Sequence, residues 1–158
     1  MNPRLEALHR LEPSAARDGA GLHRFDGAVA DLSPAGVASA LSGLGGGPRE
    51  PDAHDEEHLA LAERAARHLW GELEIHRWNP LPHLGNLDVV GYEREYAPEA
   101  DRASARRRHL EAWPDAVSAS LESLDRVPAP VARALCGAAR GLADGLSGGG
   151  GSGGGGSG

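Results

Sequence analysis

Residues 52–78 read DAHDEEHLALAERAARHLWGELEIHRW, and this stretch decides the fold class. Its apolar side chains recur at intervals of three and four residues: Leu59, Ala62, Ala66, Leu69, Leu73. That spacing is typical of a helix with one apolar face, because it brings these side chains to the same side. Pro51 and Asp52 supply a break and a cap before the run, and Asn79-Pro80 ends it. We therefore expect one long helix near residues 52–78.

The rest of the chain has the same helical character. A capping residue precedes proline at Asn2-Pro3 and at Ser33-Pro34, which is the arrangement preferred at helix starts. Further helix starts are expected at three other prolines: Pro98, Pro114, Pro130. Val and Ile are few and no segment alternates with period two, so no sheet is predicted. The sequence predicts an all-α fold, an irregular bundle of six or seven helices.

The composition indicates a thin core and limits the function classes. Many apolar positions are Ala, which buries little area, so some helix faces are expected to pack against further polypeptide. The formal net charge of -7 argues against nucleic-acid binding, and no apolar run approaches the length of a membrane span. The N-terminus is too charged for a signal peptide, so a cytoplasmic protein is predicted. The single cysteine, Cys136, is expected to be buried as a small apolar residue.

The end of the chain differs from the rest. Residues 147–158 read SGGGGSGGGGSG, a repeat typical of the flexible spacers used in engineered fusion proteins. The predicted organisation is a helical segment over residues 1–146, followed by an engineered Gly/Ser linker over residues 147–158. A partner protein or peptide joined through the linker is one expected partner.

The pentad HDEEH at residues 54–58 is one residue away from HExxH, the helical motif of zinc peptidases. His54 and His58 are four residues apart, so they share a helix face. Asp55 stands at the glutamate position, and its carboxylate is one methylene shorter than the group that works on a metal-bound water. Acids here also suit a helix N-terminus, so a helix start explains the pentad. No catalytic or metal residue is predicted, and His54 and His58 remain candidates for adventitious metal binding.

Three ordered stretches together resemble one family. The first is GLHRFDG at residues 21–27 with DLSPA at 31–35, and the second is HLWGELEIHRWNPL at 68–81. The third is YAPEADR at 96–102 followed by HLEAWPDAVSASLESLDRVPAPVA at 109–132. In this order and spacing they resemble the N-terminal portion of a large bacterial family of unknown function. Its full-length members look like helical HExxH zinc metallopeptidases.

The resemblance implies a mostly helical enzyme several times longer than this chain, with its zinc and its HExxH far downstream. This chain would then be a non-catalytic N-terminal part that walls one side of the substrate cleft and docks on the catalytic part. The family pattern Gly-x-His-x-aromatic-Asp matches residues 21–26, so His23 and Asp26 are implied to line the cleft.

Two other hypotheses stay open at this point. The chain is an autonomous helical domain for protein interaction or peptide binding, with no enzyme involved. Alternatively, HDEEH makes it a small metal-dependent hydrolase.

Overall fold

The computed structural model describes residues 2–148, and over this range the chain forms eight α-helices and no β-strand. The predicted all-α class is confirmed. The helices are α1 (Pro3–Leu11), α2 (Pro34–Ser42), α3 (Ala53–Ala66), α4 (Ile75–Trp78), α5 (Leu81–Asn86), α6 (Glu99–Glu111), α7 (Trp113–Ser123) and α8 (Ala129–Gly148). The spacer predicted over residues 147–158 lies outside the described residues apart from its first two.

Three predicted helix starts are confirmed by side-chain caps. Asn2 Oδ1 accepts a hydrogen bond of 3.0 Å from the backbone N–H of Arg4, at the start of α1. Ser33 Oγ accepts one of 3.0 Å from Gly36 N–H, at the start of α2. Asp52 Oδ1 caps α3 in the same way. These bonds satisfy N–H groups that have no partner inside their own helix.

The periodicity predicted one long helix near residues 52–78, and that prediction was wrong, because the stretch is interrupted. After α3 the chain widens into a π-helical turn over Arg67–Glu72 and then breaks at Glu74, whose φ is 47°. The left-handed backbone at Glu74 turns the chain before α4. The Glu74 carboxylate is held by Arg77 and Arg126, and the freed carbonyl of Leu73 accepts a 2.9 Å bond from Trp78 Nε1.

The main core lies where α1, α2 and α3 meet the irregular segment 28–32. Its buried members are Leu11, Ala30, Leu32, Val37, Leu44, Ala66 and Trp70. The side-chain amide of Asn86 holds the segment in place, because its Oδ1 accepts from Ala30 N–H at 2.7 Å and its Nδ2 donates to Ala30 O at 2.9 Å. Buried backbone N–H and C=O groups that lie outside helices and strands need hydrogen-bond partners of this kind.

A buried ion cluster joins α1 to α3. The Arg4 guanidinium donates to both carboxylates of Glu56 and Glu63, at distances between 2.7 and 3.0 Å. All three side chains are buried. The hydrogen bond from Arg4 and the one from Gly45 N–H hold the pKa of Glu63 below its usual range, against the opposing effect of burial. Removal of the arginine would leave the buried Glu63 carboxylate without its ion-pair partner, and Glu56 with only the exposed Arg49 at 3.6 Å.

Several large apolar side chains are exposed instead of packed. They are Leu61, Leu69, Leu73, Trp78, Leu81, Val90, Val117 and Leu121. Trp70 is buried in the core, whereas 38% of Trp78 is exposed. Cys136 was expected in a core and is exposed on α8. That expectation was wrong because α8 makes only sparse contacts with the other described helices.

None of the helices within residues 2–148 is long and apolar enough to cross a membrane.

Candidate functional site

His23 and Asp26, the implied cleft residues, lie on one short 3₁₀ turn over His23–Phe25 and its cap. The His23 ring stacks on Tyr96, with 4.7 Å between ring centroids and 6° between planes. Tyr96 Oη donates a 3.1 Å hydrogen bond to Asp26 Oδ2, whereas His23 Nδ1 is 3.8 Å from the same oxygen. His23 and Asp26 therefore share no hydrogen bond, and Tyr96 links the two residues instead.

The Asp26 carboxylate is mostly buried. Its Oδ1 is inaccessible to solvent and has no hydrogen-bond partner within the described part of the chain. Burial, followed by the hydrogen bond to Asp26, raises the pKa of Tyr96 to about 12, so the phenol stays a donor at neutral pH. His23 remains 53% exposed at its side chain, which makes it the accessible member of the group.

A second, fully buried network lies around Tyr92. Its hydroxyl accepts hydrogen bonds of 2.8 Å from Gly27 N–H and from Arg17 Nη1. It lies 3.1 Å from His109 Nδ1, to which it donates its own proton. A hydroxyl has one donor and two acceptor positions, so Tyr92 uses all of them. The network ties the segment after the 3₁₀ turn to α6.

The same contacts fix the protonation of His109. Its Nε2 lies 3.0 Å from the carbonyl oxygen of Asn86, which only accepts, so Nε2 carries the proton and Nδ1 is the acceptor. Burial lowers the pKa of His109, and the nearby Arg17 acts in the same direction. A second proton would face the Arg17 guanidinium, whose Nη1 is 3.3 Å from Nδ1.

Reasoning from sequence missed Tyr92, Arg17 and His109 as a group. Arg17 and His109 are 92 residues apart, and no local motif contains both. Tyr96 and His109 were visible only as the first residues of the stretches at 96–102 and 109–132.

HDEEH begins α3, as the capping argument predicted. Asp52 Oδ1 accepts from His54 N–H at 2.8 Å and from Asp55 N–H at 3.1 Å. The rings of His54 and His58 are neighbours, with centroids 4.1 Å apart. Both side chains are exposed.

The donor set does not fit a catalytic zinc. Such a site takes three protein ligands and keeps one position open. Over residues 2–148 there is no group of three or more His, Cys, Asp or Glu side chains that could hold a metal ion. Glu63, on the same helix as HDEEH, is bound to Arg4.

An apolar groove runs between α5, α7 and α8, with a volume of about 380 Å³. We call it the α7–α8 groove. Its apolar lining includes Leu84, Leu87, Val117, Leu121, Leu124 and Leu135. Both ring nitrogens of His83 are hydrogen-bonded to other residues: Nε2 lies 2.8 Å from His76 O, and Nδ1 lies 2.9 Å from Ser120 Oγ. The groove therefore offers apolar surface to a ligand.

His76 is buried, but its Nδ1 has no hydrogen-bond partner among the described residues. Burial lowers the pKa of His76, so the ring is held neutral.

No protein-family model, no curated protein and no solved structure matches this chain.

Proposed function

We propose that this chain is a non-catalytic helical docking segment whose α7–α8 groove packs against another polypeptide. One observation carries the proposal: Leu121 is 79% exposed at the rim of an apolar groove formed by three helices. Single exposed apolar residues are common on protein surfaces, but a contiguous apolar groove marks a binding surface. The shape suits an amphipathic helix that inserts its apolar face.

The resemblance suggests the partner. On that basis the chain is the N-terminal helical part of a zinc-metallopeptidase-like protein, and the groove docks on the catalytic part. His23, stacked on Tyr96 and exposed, is available to a substrate cleft, while Asp26 anchors the turn through Tyr96. Binding is the only task proposed for them, because hydrolysis would need the catalytic part.

An autonomous interaction domain is the second candidate. The observation in its favour is the self-contained core of α1, α2 and α3, in which Trp70 and Leu32 are fully buried. In this case the groove takes a helix or peptide from an unrelated protein, or from a partner joined through the Gly/Ser linker. The metal-dependent hydrolase hypothesis has no supporting observation, since the described residues offer no three-ligand group.

The groove is tested with an environment-sensitive apolar dye and two matched variants. Leu121→Asp places a charge in the groove, whereas Val90→Asp places one at an exposed apolar residue away from it. Both positions are exposed, so each change alters stability by only about 0.5 kcal/mol or less. We expect dye fluorescence to fall with Leu121→Asp and to stay unchanged with Val90→Asp. Equal fluorescence of all three proteins contradicts the proposed groove.

The native reading frame separates the two candidates. The test is to sequence the native gene beyond the codon for residue 146. A reading frame that continues into a helical segment with an HExxH motif supports docking on a catalytic part. A frame without such a segment supports the autonomous domain and overturns the peptidase assignment, while the dye experiment still tests the groove.

A further inference from the structure

His54 and His58 project from the first two turns of α3 and lie side by side. Their ring centroids are 4.1 Å apart and the ring planes are inclined by 52°. The Asp52 cap fixes where the helix begins, because Asp52 Oδ1 binds the N–H groups of both His54 and Asp55. The spacing of the two imidazoles is therefore set by helix geometry and does not depend on loop structure.

Both imidazoles are available to a ligand. Within residues 2–148 the rings of His54 and His58 contact each other and make no side-chain hydrogen bond or ion pair. The exposed His68 differs, since its Nδ1 is 2.8 Å from Glu72 Oε2. His83 and His109 also differ, because both are buried with their ring nitrogens in contact with protein atoms.

Two imidazoles at positions i and i+4 of a helix suit one divalent transition metal. Imidazole nitrogen binds Zn²⁺, Ni²⁺ and Cu²⁺, and affinity for a given site rises towards Cu²⁺ in this series. Asp55 and Glu57 add negative charge beside the pair, which attracts a cation, whereas the positive end of the α3 dipole opposes it. Metal–nitrogen bonds are direct coordination, and they outweigh the weak dipole effect at an exposed position.

We propose that His54 and His58 form a two-imidazole site for one divalent transition metal, with Cu²⁺ bound more tightly than Ni²⁺ or Zn²⁺. Water completes the coordination shell, because no third protein ligand is present among the described residues. The bound ion bridges the first two turns of α3 and stabilises the start of the helix. The site is separate from the α7–α8 groove, so it does not depend on the docking proposal.

The test is a calorimetric titration of the full chain with CuCl₂, in a buffer that does not bind metal. A Cys136→Ser background removes the exposed thiol, which is itself a metal ligand. We expect one Cu²⁺ per chain, and an affinity at least about tenfold lower in both His54→Ala and His58→Ala. His68→Ala is the matched control, because His68 is an exposed helical histidine that pairs with Glu72. This substitution should leave the Cu²⁺ affinity unchanged.

A second measurement asks whether the ion acts on α3. CuCl₂ should raise the Tm of the parent protein and leave the Tm of the His54→Ala protein unchanged, because a ligand stabilises only the state that binds it. Circular dichroism of each variant without metal checks that it folds, as expected for exposed positions. The proposal is overturned if Cu²⁺ does not bind, if binding survives His54→Ala and His58→Ala, or if His68→Ala weakens it equally.

Discussion

The hydroxyl of Tyr92 lies 3.1 Å from Nδ1 of His109 and joins two parts of the chain that no local motif connects. The same hydroxyl accepts from Gly27 N–H and Arg17 Nη1, so it fixes the segment after the His23–Phe25 turn against α6. Through this contact the implied cleft residues depend on a buried polar network.

Tyr92→Phe is expected to lower the free energy of unfolding by about 2–3 kcal/mol, because it leaves the buried donors of Gly27 and Arg17 without their acceptor. Ser118→Ala is the control, since it removes one exposed hydrogen bond, from Ser118 Oγ to Pro114 O, and should cost less than about 1.5 kcal/mol. Urea unfolding followed by Trp fluorescence at neutral pH measures both. Equal losses would show that the Tyr92 network contributes no more than a surface bond.

Acid is expected to destabilise the fold from about pH 6.5 downward. Burial lowers the pKa of His109, His83 and His76 in the folded protein, below the unfolded value of about 6.5. Their stabilising contribution is then fully present above about pH 6.5 and is lost as the pH falls from there through the folded pKa. Carboxylates of lowered pKa, such as Asp18, add their effect only at lower pH.

The measurement is the free energy of unfolding in urea at several values between about pH 8 and pH 5. His109→Gln should be less stable than the parent at neutral pH but should show a shallower slope between about pH 6.5 and pH 5, because one titrating group is gone. An unchanged slope would mean that His109 does not titrate with folding.

Gly27→Ala is expected to destabilise by about 1–3 kcal/mol, since Gly27 has a φ of 82°. An added Cβ would also lie 3.0 Å from Arg108 Cβ and 3.1 Å from Ala105 O. Gly19→Ala is the matched control, because nothing lies within 4 Å of its added Cβ and its φ is not positive. Thermal unfolding should show a lower Tm for Gly27→Ala and an equal or higher Tm for Gly19→Ala. The reverse order would contradict the placement of this turn.

Arg4→Met should lower the Tm strongly, because the buried Glu63 then loses its ion-pair partner and Glu56 keeps only the exposed Arg49 at 3.6 Å. Arg10→Met removes an exposed pair with Glu6 at 3.5 Å and should leave the Tm nearly unchanged. Differential scanning calorimetry compares the two. A small effect of Arg4→Met would show that water reaches the carboxylates.

Helix starts were predictable from the sequence, and the polar network was not. Asn2, Ser33 and Asp52 act on backbone groups two or three residues away, so a short pattern contains the whole interaction. Tyr92 and His109 meet only after α6 folds back on the chain. The tertiary contacts that bring them together leave no periodic signal.

The break at Glu74 was missed for a related reason. Glutamate rarely takes left-handed backbone, and here its carboxylate is held by Arg77 and Arg126, the second of which is 52 residues away. Cys136 was misplaced because the apolar pattern of α8 predicts a buried face, whereas that helix is sparsely covered in the structure. The exposed apolar residues do agree with the thin core that the alanine content indicated.

The most direct test of the docking proposal mixes this chain with the partner that the proposal names, a catalytic segment encoded downstream of residue 146 in the native reading frame. Analytical ultracentrifugation of the mixture should give a one-to-one complex with the parent chain and with Val90→Asp, and free components with Leu121→Asp. A mixture that stays uncomplexed, or a complex that Leu121→Asp leaves intact, would contradict the assignment of the α7–α8 groove as the docking surface.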